Sequence, residues 1–124
     1  MIVLIEHKNN HPLQELNSDI TYTKLRSRKE VWQKLIAWKK KGYRLKVNIS
    51  FVTMDYTLIG GFYNKLKISG SDLTLSDTRT PFNNFYINAK DIATAELAEN
   101  AETNYEALNL RMRAKYLIFI TPWL

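Results

Sequence analysis

The chain has 124 residues, 45% of them hydrophobic, and carries a net charge of +6. That length is one domain, and that composition can bury a core without covalent staples. There is no cysteine, which excludes a disulfide framework, a thiolate metal site and a thiol nucleophile and suits a reducing cytoplasm.

The opening "MIVLIEHKNN" has no cationic n-region, and its apolar run is five residues long, shorter than a signal peptide needs. No apolar run approaches the roughly 20 residues of a membrane span. The expectation is a single cytoplasmic domain over residues 1–124 with no membrane contact.

In chain order, "IVLIE" (2–6) reads as a short buried strand, "HKNNHP" as a loop and "LQEL" as one helical turn. "NSDITYT" gives no clear period. From Leu25 to Lys41 the apolar residues Leu25, Val31, Trp32, Leu35, Ile36 and Trp38 recur at spacings of three and four, which predicts a helix. Ser27 and Glu30 form an S-x-x-E capping box that starts its regular part near Arg28. Lys39, Lys40 and Lys41 complement the negative end of the helix dipole, and Gly42 follows where a left-handed residue is wanted.

After Gly42 the period drops to two. Leu45, Val47, Ile49 and Phe51 alternate with Arg44, Lys46, Asn48 and Ser50, which predicts a half-buried strand. "TMDY" can turn. "TLIGGFYNKLKI" reads as a second strand with a bulge or bend at Gly60-Gly61. "SGSD" (69–72) is a tight turn, "LTLSD" a third strand, "TRTPFNN" a loop, "FYINA" a fourth strand, "KDI" a turn and "ATAEL" a fifth strand. Thr103 and Glu106 form a second capping box, and Tyr105, Leu108 and Met112 an apolar face, so a C-terminal helix is expected. "YLIFI" (116–120) reads as a strand paired with "IVLIE", or as a continuation of that helix. Pro122, Trp123 and Leu124 are expected to pack back on the domain.

A basic helix feeding five short, bent strands is the ground plan of a small antiparallel β-barrel or sheet of the Sm-like or SH3-like type, class α+β. "GYRLKVNISFVTMDYTLIGGFYNKLKISGSDLTLSD" followed by "FYINAKDIATAEL" resembles the YolD-like family of bacteria over about residues 28–97. Gly61 takes the place of that family's glycine after the apolar residues of the second strand, and Asp91-Ile92 the place of its D-I step. The resemblance implies an association with mobile elements and accessory roles beside mutagenic repair polymerases. It transfers no functional residue.

No catalytic signature stands out, and the protein is expected not to be an enzyme. His7 and His11 lie in a loop interrupted by Pro12 and give at most a partial metal site. "GSD" (70–72) is a hairpin turn, and "GG" lacks the rest of a phosphate loop. Glu96, Glu99, Glu102 and Glu106 recur at three and four, as on the solvated face of a helix. No metal or other cofactor is expected.

The charge distribution carries the functional expectation. Residues 24–46 hold ten cations against Glu30 alone, whereas residues 47–110 hold four cations against eight carboxylates. Such asymmetry fits a polyanion, an acidic protein surface or a second copy of the chain. The leading expectation is a binding module that engages nucleic acid through Arg28, Lys34, Lys39, Lys40, Lys41, Tyr43, Arg44 and Lys46, with Trp38 and Tyr43 available to stack on bases. The alternative is a protein-interaction module of phage or mobile-element type docking a host protein. The apolar C-terminus and split charge leave a homodimer open. The exposed aromatics of "TPFNNFY" are a lesser candidate for a binding loop.

Overall fold

A computed structural model describes residues 20–51 and 57–123 of the protein. In chain order they form β1 (Thr21–Leu25), α1 (Arg28–Lys40), β2 (Arg44–Phe51), β3 (Thr57–Tyr63), β4 (Lys65–Ser69), β5 (Asp72–Asp77) and β6 (Thr80–Asn88). A single 3-10 turn (Ala89–Asp91) then leads into β7 (Ile92–Asn100), β8 (Tyr105–Met112) and β9 (Tyr116–Trp123). The strands build a six-stranded sheet in the order β1-β7-β8-β9-β2-β3 and a three-stranded sheet in the order β4-β5-β6. Every described pairing is antiparallel. Among the described residues no helix is long and apolar enough to cross a membrane.

The helix forms where the capping box and the apolar spacing from Val31 to Trp38 place it, whereas Leu25, expected at its start, ends β1 and pairs with Ala95. Ser27 is extended and its side chain accepts the Glu30 N–H at 3.3 Å, the first half of the expected capping box. At the other end the Gly42 N–H bonds Lys39 O and the Tyr43 N–H bonds Trp38 O, with Gly42 at φ +86°. That pair of bonds is a Schellman ending, which needs a left-handed residue at the Gly42 position. Val31, Trp32, Leu35 and Trp38 form the buried stripe.

The large sheet buries one face. Leu97, Leu108, Ile120 and Val47 pair side by side across β7, β8, β9 and β2. Ala95, Leu110, Ile118 and Ile49 form the next row. These residues, the helix stripe, and Leu73, Leu75 and Ile87 of the small sheet make one core. The chain passes between sheets at two corners, Asn64 and the 3-10 turn. Asn64 is pinned to the β5–β6 turn: its amide exchanges hydrogen bonds with Thr78 at 2.9 and 3.2 Å, and its N–H donates to Ser76 O.

The α+β class, the helix, β2 and the bend at Gly60-Gly61 agree with the sequence. Val47 pairs with Gly61 and Asn48 with Ile59, so Gly60 is the extra residue of a bulge, and Gly61 takes φ +133°. Four expectations are corrected. The expected C-terminal helix is absent: Tyr105–Met112 is β8, because Leu108, Leu110 and Met112 bury on a period of two. The Thr103–Glu106 spacing belongs instead to a β7–β8 turn in which the Asn100 side chain accepts the Glu102 and Thr103 N–H groups. Residues 57–68 are two strands in different sheets, broken at Asn64. The expected loop 78–84 shrinks to a two-residue turn, and Pro81 is tolerated because β6 is an edge strand.

Residues 116–123 are a strand, paired with β8 on one side and β2 on the other. "IVLIE", "LQEL", "TMDY", His7, His11 and Leu124 lie outside the described residues. β1 overlaps "NSDITYT", a stretch with no clear period. Among the described residues two open sheets pack together, and a closed barrel is not formed.

Leu108 is fully buried in the row that joins β7 to β9. Leu108→Ala is therefore expected to lower unfolding free energy by about 2–5 kcal/mol in a denaturant titration. A loss below about 1 kcal/mol would show that the row does not carry the core.

Candidate functional site

Successive helix residues are turned by about 100°, so the three lysines that end α1 face different surroundings. Lys39 and Lys40, with Ile36, form one wall of a groove of about 540 Å³ between α1 and β4. Asn64, Lys65, Leu66, Lys67 and Ser76 form the other. β4 alternates in burial, so Leu66 and Ile68 pack toward the core while Lys65 and Lys67 stay exposed. Four cations thus surround an apolar floor of Ile36 and Leu66, and among the described residues no carboxylate lines the groove. Lys39 is half-buried, its ammonium donates to Tyr43 O at 2.8 Å, and burial lowers its pKa. Lys40 is exposed.

The chain leaves this groove twice, through residues 41–43 into β2 and back through Asn64 into β3, and both paths lead to a second cluster. On the outer face of the large sheet Lys46 pairs with Phe62 and with Thr121, and Arg44 with Trp123. The Phe62 and Trp123 rings meet edge to face, 5.5 Å between centroids at 80°. The Lys46 ammonium stands 4.9 Å from the Trp123 centroid and 5.9 Å from that of Phe62, and the Arg44 guanidinium lies 5.4 Å from Phe62. The Trp123 indole N–H donates to Thr121 Oγ1 at 3.2 Å. Pro122 and Trp123 therefore pack back on the domain, as part of β9.

Of the eight residues expected to bind nucleic acid, the structure gathers Lys39, Lys40, Arg44 and Lys46 at this end of the molecule. Arg28 opens the helix, twelve residues before Lys40, which is about 18 Å along the axis. Lys34 is committed elsewhere: it pairs with the Glu106 carboxylate and its ammonium lies 5.7 Å over the Trp38 ring. Lys41 faces Glu99, Asn100, Tyr105 and Glu106 across a separate hollow. Tyr43 is half-buried against the core. Trp38 is fully buried, and its indole N–H donates to Glu106 Oε1 at 3.1 Å, so it offers no face to a base. In "TPFNNFY" Tyr86 is exposed and Phe85 packs toward Tyr63.

Lys65, Lys67, Phe62 and Trp123 were not among the expected site residues. The alternation Lys65-Leu66-Lys67-Ile68 is visible in the sequence and marks two outward cations. Nothing local to Phe62 or Trp123 signals that they meet, because β2 lies between their strands.

Among the described residues the carboxylates of the acidic row do not line the α1–β4 groove. Glu96, Glu99, Glu102 and Glu106 lie on β7, a turn and β8 rather than on a helix. Among the described residues no group of three His, Cys, Asp or Glu side chains is placed to hold a metal ion. Asp77 is buried, and hydrogen bonds from the Arg79 side chain and backbone hold its pKa below the usual range. Burial opposes the charge on Glu106, but hydrogen bonds from Lys34 and Trp38, with the charges of Lys34 and Lys41, outweigh it and lower its pKa.

Compared with known proteins, the chain matches no family model, no curated protein and no solved structure.

A carboxylate whose folded pKa is depressed adds stability above its unfolded pKa of about 4.3 and loses it as pH falls through the folded value. Glu106→Gln lacks that charge. The variant is expected to be less stable than the parent at pH 7 by about 1 kcal/mol or less, and the gap to narrow below about pH 4. Denaturation curves at pH 7 and pH 3 measure it, and a gap unchanged with pH would count against the pair.

Proposed function

We propose that this protein is a non-enzymatic binding module that engages nucleic acid through the α1–β4 groove and the Arg44–Lys46 stretch of β2 that follows α1 in the chain. The supporting observation is convergence. Lys39 and Lys40 come from a helix and Lys65 and Lys67 from a strand, yet they line one groove with no carboxylate in it. Lysines on an edge strand also deter strand pairing, which accounts for Lys65 and Lys67 alone but not for the two that face them from α1. With the Lys39 ammonium held by Tyr43 O, the three exposed ammonium groups of Lys40, Lys65 and Lys67 are suited to phosphates of one strand, whose condensed counterions they release on binding.

A second reading is an acidic segment of a host protein docked in the same groove, favoured by the apolar floor of Ile36 and Leu66. The two readings differ in their dependence on salt. Phosphate neutralisation gives log K against log salt a slope of roughly −0.7 per contact for a single strand, or about −2 for three contacts.

The test is fluorescence-anisotropy titration of labelled oligonucleotides at low and at physiological salt. Binding with a slope near that value is expected. Reversing Lys40, Lys65 and Lys67, all exposed, to Glu is expected to abolish it, and Arg28→Glu to change it little. Undiminished binding by the triple variant would refute the proposal. No binding at low salt, with a salt-tolerant complex formed by an acidic peptide, would establish the second reading in its place.

A further inference from the structure

We infer that the preferred ligand of this surface is single-stranded nucleic acid, with an unstacked base received on the exposed face of Trp123. The inference rests on the nucleic-acid reading and adds to it the state of the strand.

The argument starts from exposure. The chain has three tryptophans. Trp38 is 0% and Trp32 8% exposed, whereas Trp123 is 45% exposed. A ring of that size left open on a sheet surface forgoes burial worth several times its contact with Phe62, so its surroundings matter. One edge of the environment is filled by the T-shaped contact with Phe62, and Lys46 lies 4.9 Å from the indole centroid. The indole N–H is bonded to Thr121 Oγ1, a residue on its own strand, which limits the ring's rotation. The ring is therefore held in place, partly open, with cations beside it.

That combination is what base stacking requires. A π-face held in advance costs little ordering on binding. Arg44 and Lys46 stand within reach of the phosphate that follows a stacked base, and both already lie over the aromatic rings. Stacking of this kind tolerates any base, because each has a π-face. A duplex keeps its bases stacked on one another and presents only phosphates. It would gain from the groove's four lysines and nothing from Trp123.

The two parts are neighbours along the chain. Arg44 pairs with Trp123, and β2 begins two residues after Gly42, at the end of the helix that carries Lys39 and Lys40. Lys65 follows Phe62 by three residues through the Asn64 corner. Backbone-tracking cations and a stacking ring are thus neighbours along both chain paths.

Other surfaces carry less. The hollow at the start of α1 gathers Arg26, Arg28 and Arg113, but the Arg113 guanidinium is spent on Lys90 O. The shallow outer-face depression beside Phe119 contains Glu96, bonded to Asn109, and nothing there selects an occupant.

The experiment titrates the unaltered protein, Trp123→Leu and Trp123→Phe with a labelled twelve-nucleotide oligothymidine and a labelled twelve-base-pair duplex, following anisotropy and tryptophan emission. The single strand is expected to bind about tenfold more tightly than the duplex and to quench emission, while the duplex does not. Trp123→Leu loses that preference and the quenching but keeps its duplex affinity, and Trp123→Phe recovers much of the preference without the quenching. Emission from the unaltered protein reads the contact even where a variant is destabilised. Equal affinity for both ligands with unchanged emission overturns the single-strand inference and leaves the nucleic-acid reading standing. Binding of neither at low salt removes both.

Discussion

A six-stranded sheet with two continuous apolar rows has one face that must be covered, and the rest of the molecule follows from how it is covered. Leu97, Leu108, Ile120 and Val47 form one row, and Ala95, Leu110, Ile118 and Ile49 the other. At roughly 25 cal/mol per Å² of apolar area, leaving such rows in water would outweigh the marginal stability of a domain this size. One helix is too narrow to cover them. The chain therefore turns out of the large sheet at Asn64, lays down three further strands and returns through the 3-10 turn, so that Leu73, Leu75 and Ile87 close the core that Leu35 and Trp38 begin. The α1–β4 groove is the seam between the two covers, and the lysines line a seam the packing requires.

Trp38 shows how that packing sorts the cations. A buried indole needs a partner for its N–H, and Glu106 supplies one from β8. The carboxylate, once drawn into a half-buried position, needs a positive charge, and Lys34 provides it one helical turn before Trp38. Lys41 contributes to the same field. Two of the helix's lysines are thereby tied to core architecture, and a phosphate approaching them would meet Glu99 and Glu106 as well. Lys39 and Lys40, turned to the other side, meet no carboxylate in their groove.

Legibility in the sequence followed the range of the interactions. The helix was legible to within a residue or two because its signals are local: the Ser27 cap, the three-and-four stripe and Gly42. The alternation that defines β2 and the Gly60-Gly61 bulge were legible for the same reason. β8 was misread because Tyr105, Leu108 and Met112 suit a helix while Leu108, Leu110 and Met112 suit a strand. Over eight residues only the partner decides, and pairing with β7 and β9 decides for the strand. The site was half legible. The local cation count identified the region, but which cations share a surface depends on helix phase and strand register. Trp38 and Tyr43, neighbours of the lysines in sequence, went to the core, and the aromatic side chains on the surface came from β3 and β9.

The +9 segment is therefore not one patch, and its charge overstates what any single ligand meets. Lys34 is neutralised by its partner, Arg28 stands at the far end of the helix, and Lys41 faces carboxylates. What remains is smaller but better ordered: four lysines along a groove, then Arg44 and Lys46 over an aromatic pair. Neutralising scattered surface charge gives attraction without register, because each phosphate finds a similar potential in many poses. A groove with an apolar floor limits the poses to those that run along it. Long-range charge then governs the rate of encounter, and the aromatic end determines which strands remain bound after they arrive.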